Sequence, residues 1–124
     1  MPAARPRVLI ADDHPEVTKA VCRLLAPDFE IVGTVADGGA LLEAVQRLEP
    51  DVVVLDVNLP SVHGLEACRL LTRMIPATKV VVFSAMRESE LSEALIEAGA
   101  SAFVSKLASG DLPATIRRLC ADPS

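Results

Sequence analysis

Four apolar runs in this chain each stop at a group able to handle a phosphate or a cation: Asp12 with Asp13, then Asp56, Ser84 and Lys106. The stretch VVVLDVNLP, from Val52 to Pro60, is the plainest case. Three β-branched residues and Leu55 read as a strand buried on both faces, and a buried strand has no packing use for an aspartate. An acid placed where such a strand ends belongs at the carboxyl edge of a sheet, where open α/β sheets carry their chemistry. Asp56 is therefore the candidate nucleophile, since a carboxylate accepts a phosphoryl group as an acyl phosphate. Three carboxylates gathered within several ångströms repel one another, which raises their pKa values or calls for a cation. A hard divalent ion resolves that repulsion; Mg²⁺, or Mn²⁺ in its place, suits a site of few protein oxygens and several waters. Lys106 supplies a compact positive charge for the carboxylate or a transferred phosphoryl oxygen, and Ser84 a hydroxyl donor. Phosphoryl transfer needs positioning and charge neutralisation above all, and this set can provide both.

Those groups meet only if the elements carrying them run the same way. RVLIADD, FEIVGTV, VVVLD, KVVVFSA and SAFVSK are apolar runs too short for helices, and an amphipathic segment follows each. Val17, Ala20, Val21 and Leu24 fill the i, i+3, i+4, i+7 positions after the first; Leu41, Ala44, Val45 and Leu48 do so after the second. Ala67, Leu70, Leu71 and Met74 form the third stripe, and Leu91, Ala94, Leu95 and Ala98 the fourth, in a helix expected to start near Glu88. The last helix is less regular, with Leu112, Ile116 and Leu119 in phase and Thr115 out of it. Pro15 and Pro113 fit first turns, and Gly99 a left-handed cap. Asp37, Gly38 and Gly39 read as a plain turn after a strand spanning Phe29–Val35. Alternating strands and helices imply a parallel sheet with helices on both faces, and right-handed crossovers favour a doubly wound one, taken in one such order, 2-1-3-4-5. In that order strands one, three, four and five are contiguous, and their ends converge on one crevice.

Composition narrows the classes. The chain has 124 residues, enough for one domain with a real core, and its 51% hydrophobic and 23% charged content is ordinary for a globular fold. A net charge of −5, with three Phe and no Tyr or Trp, argues against direct nucleic-acid binding. Cys22, Cys68 and Cys120 form no CxxC pair and fit reduced thiols in a cytoplasmic protein. The arm MPAARPR lacks the apolar stretch of a signal peptide, and no run reaches the ~18 residues that span a bilayer. The expected folded core is 6–121, with short tails and no second domain.

IADDHPEV, VVVLDVNLPSVHG, VVVFSA and FVSK, in this order and spacing, resemble the receiver domain of a bacterial two-component response regulator over essentially the whole chain. The resemblance implies a flavodoxin-like doubly wound five-stranded parallel sheet, (βα)5 in three layers, of order 2-1-3-4-5. It implies that Asp56 is phosphorylated by the phosphohistidine of a sensor histidine kinase, with Mg²⁺ held directly by Asp13 and Asp56, through water by Asp12, and by the backbone carbonyl of Asn58. Ser84 and Phe103 would be the switch pair, the ring filling space that the hydroxyl vacates. Asn58 and Met86 sit where they would modulate access to the phosphoryl group. ADDHPEV and GLEACRLL look closest to receivers that precede a LuxR-type helix-turn-helix, so the implied output is transcription through a DNA-binding domain beyond Ser124, with a homodimer possible on phosphorylation. A stand-alone receiver is the alternative. Lys106 is followed by Leu107 where many receivers have a cis proline; a cis bond before another residue costs ~3 kcal/mol, so the resemblance does not fix that loop.

Three other classes use parts of the same pattern. A haloacid-dehalogenase-type phosphotransferase wants a second aspartate two residues after the nucleophile, where this chain has Asn58. A flavin carrier wants a hydroxyl-rich phosphate loop and a stacking ring. A pseudo-receiver would not need the intact acid set and Lys106. His14 reads as a helix-start residue, and a zinc site from His14, His63 and aspartates fits no usual ligand spacing. The expected role is a switch that modifies itself, not a metabolic enzyme.

Overall fold

The computed structural model of the chain describes residues 5–60, 64–85 and 90–121. Its elements run β1 (Arg7–Ala11), α1 (Pro15–Leu25), β2 (Glu30–Val35), α2 (Gly38–Leu48), β3 (Val52–Leu55), α3 (Gly64–Met74), β4 (Lys79–Ser84), α4 (Glu90–Glu97), β5 (Ala102–Ser105), a 3₁₀ segment (Lys106–Asp111) and α5 (Leu112–Ala121). The strands form one parallel sheet in the order β2-β1-β3-β4-β5. That is the expected doubly wound arrangement.

The strand sequences explain how the sheet is covered. Successive strand residues face opposite sides. Leu9, Ala11, Val53, Leu55, Val80 and Val82 pack with α2, α3 and α4 through Leu41, Val45, Ala67, Leu71 and Leu95. Val8, Ile10, Val52, Val54, Val81, Phe83 and Val104 face α1 and α5 through Val21, Leu25, Leu112 and Ile116. β3, the middle strand, is buried at all four positions. A strand with no solvent face cannot show alternation, which is why its sequence reads as a continuous apolar run.

Several local readings are refined. Phe29 lies outside β2: its N–H donates to the Leu25 carbonyl, and the buried ring packs under α1. Gly38 and Gly39 are not a separate turn but the first residues of α2, which Asp37 caps by accepting from the Ala40 N–H at 2.8 Å. Thr115 is buried in the α1–α5 layer despite its hydroxyl, because that hydroxyl donates to the Asp111 carbonyl at 2.8 Å. Glu49 ends α2 in the left-handed conformation at φ 47°. Pro50 denies it the right-handed helical region, a constraint usually met by extended backbone. The expected start of α4 at Glu88 lies outside the described residues, and no described peptide bond is cis, Lys106–Leu107 included.

Candidate functional site

Register sets the site before any side chain is considered. Ala11 of β1 pairs with Leu55 of β3, so the next residues, Asp12 and Asp56, leave the sheet abreast of each other. The Asp56 N–H still donates to the Ala11 carbonyl at 2.9 Å, and the Asp12 N–H to the Val35 carbonyl at 3.0 Å. β4 continues two residues past the partner of Leu55, which carries Ser84 to the same rim opposite Ser105. Lys106 follows Ser105 directly. There Ser105 caps the 3₁₀ segment by accepting from the Leu107 N–H at 3.1 Å. This turn in trans backbone stands where a cis proline bond was the family alternative.

The side chains converge as their types require. The Lys106 ammonium lies 2.8 Å from Asp12 Oδ2 and 3.4 Å from Asp56 Oδ2, with both carboxylates almost wholly buried. These two oxygens are ion-paired to Lys106 and otherwise have no hydrogen-bond partner among the described residues. The stem of Lys106 crosses Phe83, its nitrogen 5.8 Å from the ring centre. Asp56 Oδ1 accepts from the Asn58 N–H at 3.0 Å, and the Leu59 N–H closes the same turn on the Asp56 carbonyl at 3.3 Å. Gly64, at the start of α3, is pressed against this turn so closely that a Cβ would stand 2.8 Å from Val57 Cα.

His14 belongs to the cluster, which its reading as a helix-start residue missed. It is the N-cap of α1, but its ring makes no capping bond. Nδ1 instead lies 2.8 Å from Asp12 Oδ1, 3.2 Å from Asp13 Oδ1 and 3.7 Å from Asp56 Oδ2. The signal available in the sequence was its adjacency to the acid pair. His63, the other histidine, lies outside the described residues, as does Met86.

The electrostatics differ from a bare carboxylate cluster. Burial pushes the Asp12 carboxyl up, yet Lys106 and the backbone and ring of His14 together hold it below the ordinary value. The same hydrogen bond, then the charges of Asp12 and Asp13, raise His14 above its ordinary value. One ligand atom from each of Asp12, Asp13, His14 and Asp56 fits within a 4.8 Å span. Hard carboxylate oxygens, outnumbering the single Lys106 charge that two of them share, fit a divalent cation. An open groove of about 750 Å³ leads from Asp12 and Asp13 along α1 to Thr34 and Val35.

The remaining site candidates divide by sheet face. Ser84 has the parity of Val80 and Val82 and so faces the α3–α4 side, fully buried. Phe103, the register partner of Val82, packs partly buried on that same side. Lys106 opens on the other, in a small pocket with Val17, Val21, Leu24 and Phe83.

Residues 8–117 match the family described as the response regulator receiver domain. The chain belongs to this family. It is 38% identical over 102 residues to the response regulator GacA of Pseudomonas viridiflava, an alignment covering 81% of this chain and 48% of that protein. Among solved structures, a LuxR-family two-component response regulator from Aurantimonas sp. SI85-9A1 superposes with a TM-score of 0.88 at 30% identity, covering 95% of this chain and 86% of that one. The receiver domain of the putative response regulator NarL from Mycobacterium tuberculosis gives 0.89 at 26% identity, covering 98% of this chain and all of that one. The receiver thus falls with the LuxR/NarL group, and it spans about half the length of the curated relatives it matches. No helix among the described residues is long and apolar enough to cross a membrane.

Proposed function

We propose that this receiver is a phosphorylation-controlled switch in which Asp56 takes a phosphoryl group from the phosphohistidine of a sensor histidine kinase. A carboxylate oxygen of Asp56 forms the new O–P bond while the P–N bond to the kinase imidazole breaks, and the nitrogen keeps the bonding pair. The observation that carries this reading is the convergence of Lys106 on the buried carboxylates of Asp12 and Asp56, at 2.8 and 3.4 Å, from strands remote in sequence. The Asn58 N–H fixes the plane of the Asp56 carboxylate. Lys106 neutralises charge that would otherwise repel an anionic donor. Asp12, Asp13, Asp56 and the Asn58 carbonyl would hold Mg²⁺ or Mn²⁺. Bound there, the ion would supply positive charge to offset the negative charge of the phosphoryl oxygens. Ser84 donates to the transferred group, and Phe103, on the same side of the sheet, follows it. Met86 and Asn58 stand as modulators of access.

The chain acts on itself and on no external substrate, hydrolysing its acyl phosphate slowly. In a full-length regulator of the kind its relatives represent, the output is transcription through a DNA-binding domain outside this receiver. Phosphorylation would alter homodimer association through the α4–β5–α5 face or the α1–α5 face, in the cytoplasm. Acetyl phosphate with and without Mg²⁺, followed by intact-mass spectrometry, tests the core of this. One added phosphoryl group is expected in wild type with Mg²⁺ and none in Asp56→Asn; label in that variant would refute the assignment.

A further inference from the structure

We propose that His14 supplies a nitrogen ligand to the cation site, so that the site favours late first-row divalent ions such as Ni²⁺ and Zn²⁺ more than its oxygens alone would. The inference rests on the reading that the acid cluster holds a divalent ion. Donors on adjacent vertices around an ion with bonds near 2.1 Å stand about 3.0 Å apart in an octahedron and about 3.4 Å apart in a tetrahedron. His14 Nδ1 stands 2.8, 3.2 and 3.7 Å from oxygens of Asp12, Asp13 and Asp56; the first contact is a hydrogen bond to Asp12 Oδ1, and an ion held between these groups would replace it at similar donor spacings. The buried Asp12 Oδ2 and Asp56 Oδ2 have the Lys106 ammonium as their ion-pair partner and no hydrogen bond, so the same carboxylates keep acceptor capacity for an ion.

His14 takes this role by exchanging its hydrogen bond with Asp12 for the ion. Its ring is not used to cap α1, and its side chain is 59% exposed, so the α1 terminus does not depend on where the imidazole points. Its backbone N–H is bonded to Asp12 Oδ1 at 2.9 Å, which anchors the residue beside the acids whatever the ring does. An imidazole nitrogen adds little for Mg²⁺, which prefers oxygen. It adds much for ions toward the nickel, copper and zinc end of the series. Ion choice would thus be set by one residue outside the acid set.

Calorimetric titration of the metal-stripped chain with Mg²⁺, Ni²⁺ and Zn²⁺, for wild type, His14→Gln and Asp56→Asn, tests this without any measurement of phosphorylation. His14→Gln should weaken Ni²⁺ and Zn²⁺ by about tenfold or more, as loss of a metal's ligand or its support does, and leave Mg²⁺ nearly unchanged. Pulsed paramagnetic resonance of the Mn²⁺-loaded chain should show an imidazole nitrogen coupling in wild type that disappears in His14→Gln. Equal losses for all three ions, no loss at all, or no nitrogen coupling would overturn the role of His14. If Mg²⁺ does not bind wild type, or Asp56→Asn leaves every affinity intact, the cation site itself is misplaced and the proposal falls with it.

Discussion

Lys106 and Cys68 show how differently a buried polar group behaves with and without a charged neighbour. Lys106 is the cation that two buried carboxylates share. Removing one partner of a buried ion pair typically costs 3–5 kcal/mol, because the other charge is left behind. Lys106 is itself slightly exposed, so Lys106→Ala is expected to lower stability by roughly 2–3 kcal/mol in EDTA. Millimolar Mg²⁺ should restore more of that in the variant than it adds to wild type. Urea denaturation under the two conditions measures it, and equal Mg²⁺ effects would show that Lys106 and the ion do not answer the same charge. Cys68, on α3, has no such partner, and burial pushes its thiol up to about 11. Since the folded pKa exceeds the ordinary thiol value, its contribution to stability is complete below that value and declines as pH rises toward 11. Near pH 8 iodoacetamide should therefore modify half-buried Cys22 and Cys120 first, and Cys68 only at the rate of unfolding. Peptide mass mapping over time checks the order.

At the scale of elements, the turn after β3 shows what sequence can and cannot carry. Asp56 was legible because an acid ends an apolar run. The need for Gly64 was not, because its cause is contact: a Cβ would meet the backbone and side chain of Val57 at 2.8 Å. Backbone cannot swing aside as a side-chain tip can, so Gly64→Ala should destabilise by about 1–3 kcal/mol and slow phosphorylation by displacing the turn that holds Asp56. Gly99→Ala should also cost stability, since its φ of 117° is hostile to a side chain and Thr72 fills the space beside it. Gly110→Ala is the control, with nothing near its Cβ position. Thermal denaturation of the three variants gives the ranking, and a neutral Gly64→Ala would mean that α3 has room to retreat. His14 was legible as a neighbour of the acid pair but not as a member of the cluster, because a residue type at a helix start does not say which way its ring turns.

Across the whole molecule, the gathering of five groups at one rim followed from alternation of strand and helix, because parallel strands must present their ends together, whereas the strand order rested on the family resemblance. What alternation did not carry is which face each rim group serves. Parity in the sheet puts Ser84 and Phe103 on the α3–α4 side, while Lys106 shares its pocket with α1. Chemistry at the rim and a change on the α4–β5 surface can then be joined through one side of the sheet, with the Lys106 pocket on the other. The chain has no tryptophan, so Phe103→Trp places a single reporter there. Acetyl phosphate and Mg²⁺ should shift its emission to shorter wavelength as the ring moves inward, and the shift should vanish on Asp56→Asn. Adding Ser84→Ala to the reporter should abolish the shift while intact mass still records phosphorylation, since in the proposed switch the hydroxyl links the phosphoryl group to the ring. A shift of equal size in the Ser84→Ala reporter would mean that the ring senses Asp56 by some other route.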